Sequence, residues 1–116
     1  MTATKKLSEN ILSQVSGGTA TETADDSRFL NVLLQGKPGQ CDRYGTFRIR
    51  IQDHEVEIER AWKAAGVDAT ISSGDLLFEG FPNKYRVNGI TVTQEQARQH
   101  AMKVIGRQLK VSEWKW

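Results

Sequence analysis

The Asn88-Gly89 pair, between two short β-prone segments, most constrains what this chain can fold into. Asn-Gly readily adopts the positive φ angles of a two-residue hairpin turn, so the flanking residues are predicted to pair as antiparallel strands. The sequence then continues into residues 94–109, where apolar residues recur every three or four positions after Thr93, the predicted N-cap. A hairpin followed by an amphipathic helix predicts a helix docked on an antiparallel sheet.

Size and cysteine content limit how such a sheet can be stabilised. The chain has 116 residues, of which 38% are hydrophobic, which is enough for one core but hardly for two. Its single cysteine, Cys41, cannot form an internal disulfide, so packing must hold the fold. No stretch of about 18 apolar residues is present, so no membrane span is expected.

Three further segments are assigned from their apolar patterns. Residues 29–35 form a short apolar run bounded by Gly and Pro, which favours a buried strand, and residues 45–52 alternate, which predicts a half-buried strand. Residues 53–66 fit either a helix or the second arm of a hairpin, and the helix is favoured because "RAWKAAG" has helical composition. "VDATIS" and "DLLFEGF" are further predicted strands.

The predicted domain organisation has three parts. Residues 1–18 form a candidate leader helix, and residues 19–27 form a flexible linker because they are small, polar and acidic. Residues 28–116 form a small α+β domain with a mostly antiparallel sheet and one or two packed helices.

Candidate catalytic and metal-binding residues are few. A nucleophilic Cys41 needs a base, and only His54 and His100 are available, in no recognisable local signature. The two histidines lack metal-ligand spacing. Three glutamates, Glu55, Glu57 and Glu59, resemble an acid cluster but are more simply explained as charge partners of nearby basic residues. We therefore predict no catalytic residue, no metal and no cofactor.

Two surface groups are candidate partner contacts. The first consists of basic residues on or beside predicted strands together with two tyrosines, a composition suited to single-stranded nucleic acid: Arg43, Arg48, Arg50, Lys84, Arg86, Tyr44 and Tyr85. A net charge of only +2 argues against that partner. The second consists of Trp114 and Trp116, which either cover the core edge or contact a protein partner. Trp62 is predicted to be a core residue.

The N-terminal segment carries the most specific pattern in the chain. On a helix, Leu7, Leu12 and Val15 share an apolar stripe, and Gly17-Gly18 follows. This arrangement resembles the double-glycine leaders of bacterial peptides exported by peptidase-containing ABC transporters, and its "VSGG" ending is similar to the leaders of Gram-negative microcins. In those leaders a glutamate often occupies the position of Ile11. The body of the chain shows no such resemblance.

The resemblance implies a function and a partner. Leu7, Leu12 and Val15 would bind the peptidase domain of an ABC exporter, and cleavage would follow Gly18. The chain would be cytoplasmic as a precursor and secreted after cleavage, with a bacteriocin-like body that acts by binding rather than by catalysis. The alternative is a cytosolic or phage-encoded protein–protein interaction module, and a single-stranded nucleic-acid binder is a third hypothesis.

Overall fold

The computed structural model describes residues 20–72 and 82–115, except the side chain of Arg50. In chain order the elements are α1 (Glu22–Leu33), α2 (Thr46–Ile51), α3 (Glu55–Ala64), β1 (Asp68–Thr70), β2 (Lys84–Val87), β3 (Ile90–Val92), α4 (Gln94–Ile105) and α5 (Val111–Trp114). The strands form one antiparallel sheet in the order β1-β2-β3. The predicted α+β class is confirmed, although the described residues contain five helices rather than one or two.

The β2–β3 hairpin is confirmed at the predicted turn. Val87 pairs with Ile90 across it, and both turn residues have positive φ angles, 53° for Asn88 and 79° for Gly89. These are the angles that Asn and Gly adopt at least steric cost. The turn therefore fixes the register of β2 and β3.

Helix α4 is also confirmed, with its start at the predicted cap, but it ends at Ile105 rather than at residue 109. The Thr93 side chain accepts a hydrogen bond from the Gln96 backbone N–H at 3.0 Å, and the Gln96 side chain accepts one from the Thr93 N–H at 2.9 Å, which together form a capping box. Gly106 ends the helix in the left-handed conformation with φ 80°. Ala97 and Ala101 face the core.

The linker predicted over residues 19–27 and the strand predicted over 29–35 are wrong for the described residues from Ala20 onward. Helix α1 occupies Glu22–Leu33, and Ala20 is already fully buried. The inward face of the helix carries small side chains, Ala24 and Ser27 among them, before the larger Leu30. Small residues each bury little apolar area but let helices approach closely. A helix with such residues on its inner face therefore has low hydropathy even though it packs against the core, and the apolar pattern does not reveal it.

The strand predicted over residues 45–52 is also wrong, because Thr46–Ile51 form helix α2. Residues 47 and 51 are four positions apart, so in a helix they lie on one side, while Ile49 lies on the other. Ile49 is 2% exposed, whereas Phe47 and Ile51 are 68% and 44% exposed. The three alternating apolar residues therefore do not form one face of a strand: on the helix, Ile49 is buried, and Phe47 and Ile51 are exposed.

Helix α3 confirms the helical alternative for residues 53–66 and supplies the centre of the core. Trp62 is fully buried, with its ring centroid 5.8 Å from that of Phe29 on α1 and 5.3 Å from that of Tyr85 on β2. Trp114 of α5 packs edge-on against Phe29 at 5.6 Å. The aromatic core therefore joins α1, α3, α5 and the sheet.

One predicted strand lies outside the described residues, and one further expectation concerns membrane spans. The strand predicted for "DLLFEGF" falls at residues 75–81, which are not described. Within residues 20–72 and 82–115, none of the helices combines the length and apolar character needed to cross a membrane.

Candidate functional site

The fold encloses Cys41, the candidate nucleophile of the sequence. Cys41 is 2% exposed, and its Sγ donates a long hydrogen bond of 3.7 Å to the Ser27 carbonyl oxygen. Burial, with the Glu57 carboxylate nearby, raises the pKa of the Cys41 thiol to about 12. A neutral, enclosed thiol is a poor nucleophile, so the geometry favours a structural cysteine.

The two histidines lie in different environments. His54 stacks on Tyr44 with ring centroids 3.7 Å apart, and its Nδ1 is 3.5 Å from Glu57. His100 lies on α4, beside Gly66. Across the described part of the chain, no three His, Cys, Asp or Glu side chains are grouped as metal ligands.

The glutamates act as hydrogen-bond acceptors for backbone and side chains rather than as a cluster. Glu57 accepts hydrogen bonds from the Tyr44 hydroxyl at 2.7 Å and from the Asp42 backbone N–H at 2.9 Å. Glu59 accepts one from the Ile71 backbone N–H at 2.9 Å. These bonds hold the loop before α2 and the end of β1 against α3.

The two tyrosines do not form the stacking surface that the nucleic-acid hypothesis requires. Tyr85 is 2% exposed and belongs to the core, while the Tyr44 ring is covered by His54 and its hydroxyl is bound by Glu57. Neither ring offers a face on which a base could stack. On β2, Arg86 binds Asp68 at 3.3 Å, which offsets its charge.

Trp114, predicted to be a possible partner contact, is 4% exposed and covers the core edge. Besides Phe29, its ring lies 5.1 Å from the Arg98 guanidinium carbon, a cation–π distance. The first of the two alternatives for this residue is therefore correct. Trp116 lies outside the described residues.

The exposed side of α2 is the candidate binding surface. We define it as Phe47 and Ile51, which lie on one side of a six-residue helix and are the side chains that the packing of Ile49 leaves in solvent. Large apolar side chains exposed side by side are typical of protein contact sites. Composition and periodicity assigned these residues to a buried strand face, so the surface could not be found from the sequence.

A shallow open cleft of about 420 Å³ lies between the end of α3 and the β2–β3 turn. Its lining residues are Lys63, Gly66, Val67, Asp68, Arg86 and Asn88. Arg86 and Asp68 form an ion pair within this lining. An ionic ligand of either sign would therefore meet a charge of its own sign beside the opposite one.

A buried polar cluster joins α1, β2 and α4. Asp26 is fully buried, and its Oδ2 accepts hydrogen bonds from the Tyr85 hydroxyl at 2.6 Å and from the Asn83 side-chain amide at 3.3 Å. Its Oδ1 accepts one from the Gln94 side-chain amide at 2.7 Å. The indole N–H of Trp62 is buried and makes no hydrogen bond to a described residue. It lies close enough to the Asp26 carboxyl group to favour the charged form.

Desolvation is the largest cause of the pKa shifts in this cluster. Burial raises the pKa of Asp26 to about 7, although the hydrogen bonds from Tyr85 and Gln94 and the nearby Trp62 indole N–H favour the charged form. Burial also raises the pKa of Glu22, one helical turn before Asp26. The same enclosure raises the pKa of Tyr85 far above its ordinary value, so its hydroxyl stays a donor.

The predicted leader residues Leu7, Leu12, Val15, Gly17 and Gly18 lie outside the described residues. Comparisons with protein-family models, with curated proteins and with solved structures give no match for this chain.

Proposed function

We propose that this chain is a precursor, cut after Gly18 by the peptidase domain of an ABC exporter, whose body acts outside the cell by binding a protein target without catalysis. The proposal begins from the spacing of Leu7, Leu12 and Val15 before Gly17-Gly18. Apolar residues at this spacing form one stripe of a helix, which suits a hydrophobic groove, and glycine suits a narrow protease channel.

The order of features along the N-terminal sequence is the observation that carries the proposal. Leu7, Leu12 and Val15 come first, Gly17-Gly18 follows within three residues, and a polar segment comes next. This is the order that the double-glycine leaders have, and the glycine pair marks the boundary at which such a leader would be removed.

The same boundary imposes an order of events. Ala20 is fully buried and α1 begins at Glu22, so the Gly18–Thr19 bond lies two residues from the core. A protease channel must hold several residues on both sides of the bond in extended form. We infer that cleavage acts on the chain before α1 docks, or competes with its docking.

Intact-mass analysis of the secreted protein in a host with the cognate exporter tests the cut. Gly18→Val should abolish maturation, because a side chain cannot enter a channel shaped for glycine. Leu12→Ala should slow it roughly tenfold or more, because burial of a leucine contributes on the order of 1.5–3 kcal/mol. Asn10→Ala, on the polar side of the stripe, is the control. Normal cutting of both Gly18→Val and Leu12→Ala would refute the leader.

A non-exported interaction module is the second candidate, and the exposed α2 surface favours it. Phe47→Glu and Ile51→Glu should each release a bound protein that wild type retains from its native host. Val104→Glu is the matched control, since Val104 is 51% exposed but lies on α4. A partner retained equally by all variants would show that α2 is not the contact.

A further inference from the structure

The Asp26 carboxyl group is where three distant parts of the chain meet. Its hydrogen-bond donors come from β2, from Asn83 just before β2, and from the first residue of α4. Asn83 extends the cluster, because its side-chain amide also donates to Thr23 at 3.0 Å and its side-chain oxygen accepts from the Ser72 N–H at 3.1 Å. The carboxyl group thus connects α1 to β2 and to α4.

The groups facing Asp26 supply no compensating positive charge. Glu22, one turn earlier on α1, adds negative charge, while Tyr85 and Cys41 are neutral acids. From α3 the uncharged Trp62 indole faces Asp26. Among the described residues, no cation forms an ion pair with Asp26.

The cations nearby are engaged elsewhere. Arg98 of α4 binds Glu95 and acts on Glu22 rather than on Asp26. On the other side of α1, Asp25 lies 3.7 Å from Arg28 and 3.8 Å from Lys115. Lys84 and Arg86, at each side of Tyr85 on β2, point away from the core, as alternation along a strand requires.

We propose that Asp26 is a proton-controlled clamp: the neutral carboxyl group holds α1 on β2 and α4, and loss of its proton weakens that attachment. The three hydrogen bonds to Asp26 replace only part of the hydration that a carboxylate loses on burial, and no cation supplies the rest. The neutral acid avoids most of that cost. The clamp concerns the fold of the body and does not depend on the leader.

The sign of the pH dependence follows from linkage. The folded chain binds the Asp26 proton more tightly than the unfolded chain, so its contribution to stability is full below the unfolded pKa of 3.8 and is lost as the pH rises through about 7. Between pH 5 and pH 8 the folding equilibrium constant should fall roughly tenfold to a hundredfold from this group alone.

Urea unfolding of the full chain at pH 5 and pH 8 tests the clamp. Asp26→Asn should remove most of the fall in the folding constant that wild type shows between the two pH values. All other titratable groups are present in both proteins, so the difference isolates Asp26. The matched control Asp42→Asn removes an exposed carboxylate and should retain the wild-type fall.

A direct titration keeps the test decisive if Asp26→Asn does not fold. Carboxyl ¹³C NMR of the wild-type chain should give a midpoint for Asp26 between about pH 6 and pH 8. Tyr85→Phe removes the shortest hydrogen bond to the carboxylate and should move that midpoint upward. An Asp26 midpoint below pH 5, or equal pH dependence of stability in wild type and in a folded Asp26→Asn variant, would overturn the clamp.

Discussion

Replacing Trp114 with alanine should strongly destabilise the domain, because the side chain belongs to the core. A tryptophan buries about 150–250 Å², which at about 25 cal/mol per Å² corresponds to roughly 4–6 kcal/mol. A compact unfolded chain reduces that figure by about 10–40%. Loss of the contacts to Phe29 and Arg98 acts in the same direction.

The expected cost of Trp114→Ala lies toward the lower end of this range. Helix α5 has four residues and can shift to fill part of the space, so we expect a loss of about 3 kcal/mol. For a domain of this size that loss corresponds to a fall in Tm of about 10 °C or more. Urea unfolding and thermal denaturation, both followed by far-UV circular dichroism, measure it.

Phe47→Ala is the matched control for Trp114→Ala. It removes an aromatic ring that is 68% exposed and should change the free energy of unfolding by less than about 0.5 kcal/mol. If Trp114→Ala is as stable as wild type, Trp114 does not belong to the core, and its interpretation as a partner contact returns. A large loss for Phe47→Ala would mean that the α2 surface is covered by the chain itself.

Two further predictions test local features of the fold. Cys41 should react with a maleimide at pH 8 at least tenfold more slowly in the folded chain than in urea, because its thiol is buried and its pKa is raised to about 12; equal rates would show that the thiol is accessible. Thr93→Ala should lower the free energy of unfolding by about 1 kcal/mol through loss of the N-cap, with Thr93→Ser as the control that retains the hydroxyl; an unchanged urea midpoint for Thr93→Ala would contradict the capping role.

The parts of the fold that could be predicted are those specified by nearby residues. The β2–β3 hairpin follows from Asn88-Gly89, and the start of α4 follows from Thr93, because both depend on backbone angles and hydrogen bonds within four residues. Such signals hold in most tertiary environments. The same reasoning correctly favoured a helix for α3 and a core position for Trp62.

The parts that were predicted wrongly depend on contacts between distant residues. The buried face of α1 includes Thr23, Asp26 and Ser27. Asn83 and other partners reach Thr23 and Asp26 from elsewhere in the chain, whereas the Ser27 hydroxyl also donates to the Ala24 carbonyl oxygen on its own helix. Their composition resembles a solvated linker. The Asp26 cluster was missed for the same reason, since nothing near Asp26 in the sequence marks it as buried.

Helix α2 allows the proposed partner contact to be tested separately from folding. A six-residue helix is too short to be stable alone, so contacts at its start and on its inner side must hold it. The Tyr44 backbone N–H, just before the helix, donates to the Ser27 hydroxyl on α1 at 3.0 Å, and Ile49 is buried. Phe47 and Ile51 contribute little to this attachment because they face solvent. Substitutions at these two residues can therefore remove a partner contact and leave the fold intact, which allows the binding proposal to be tested separately from stability.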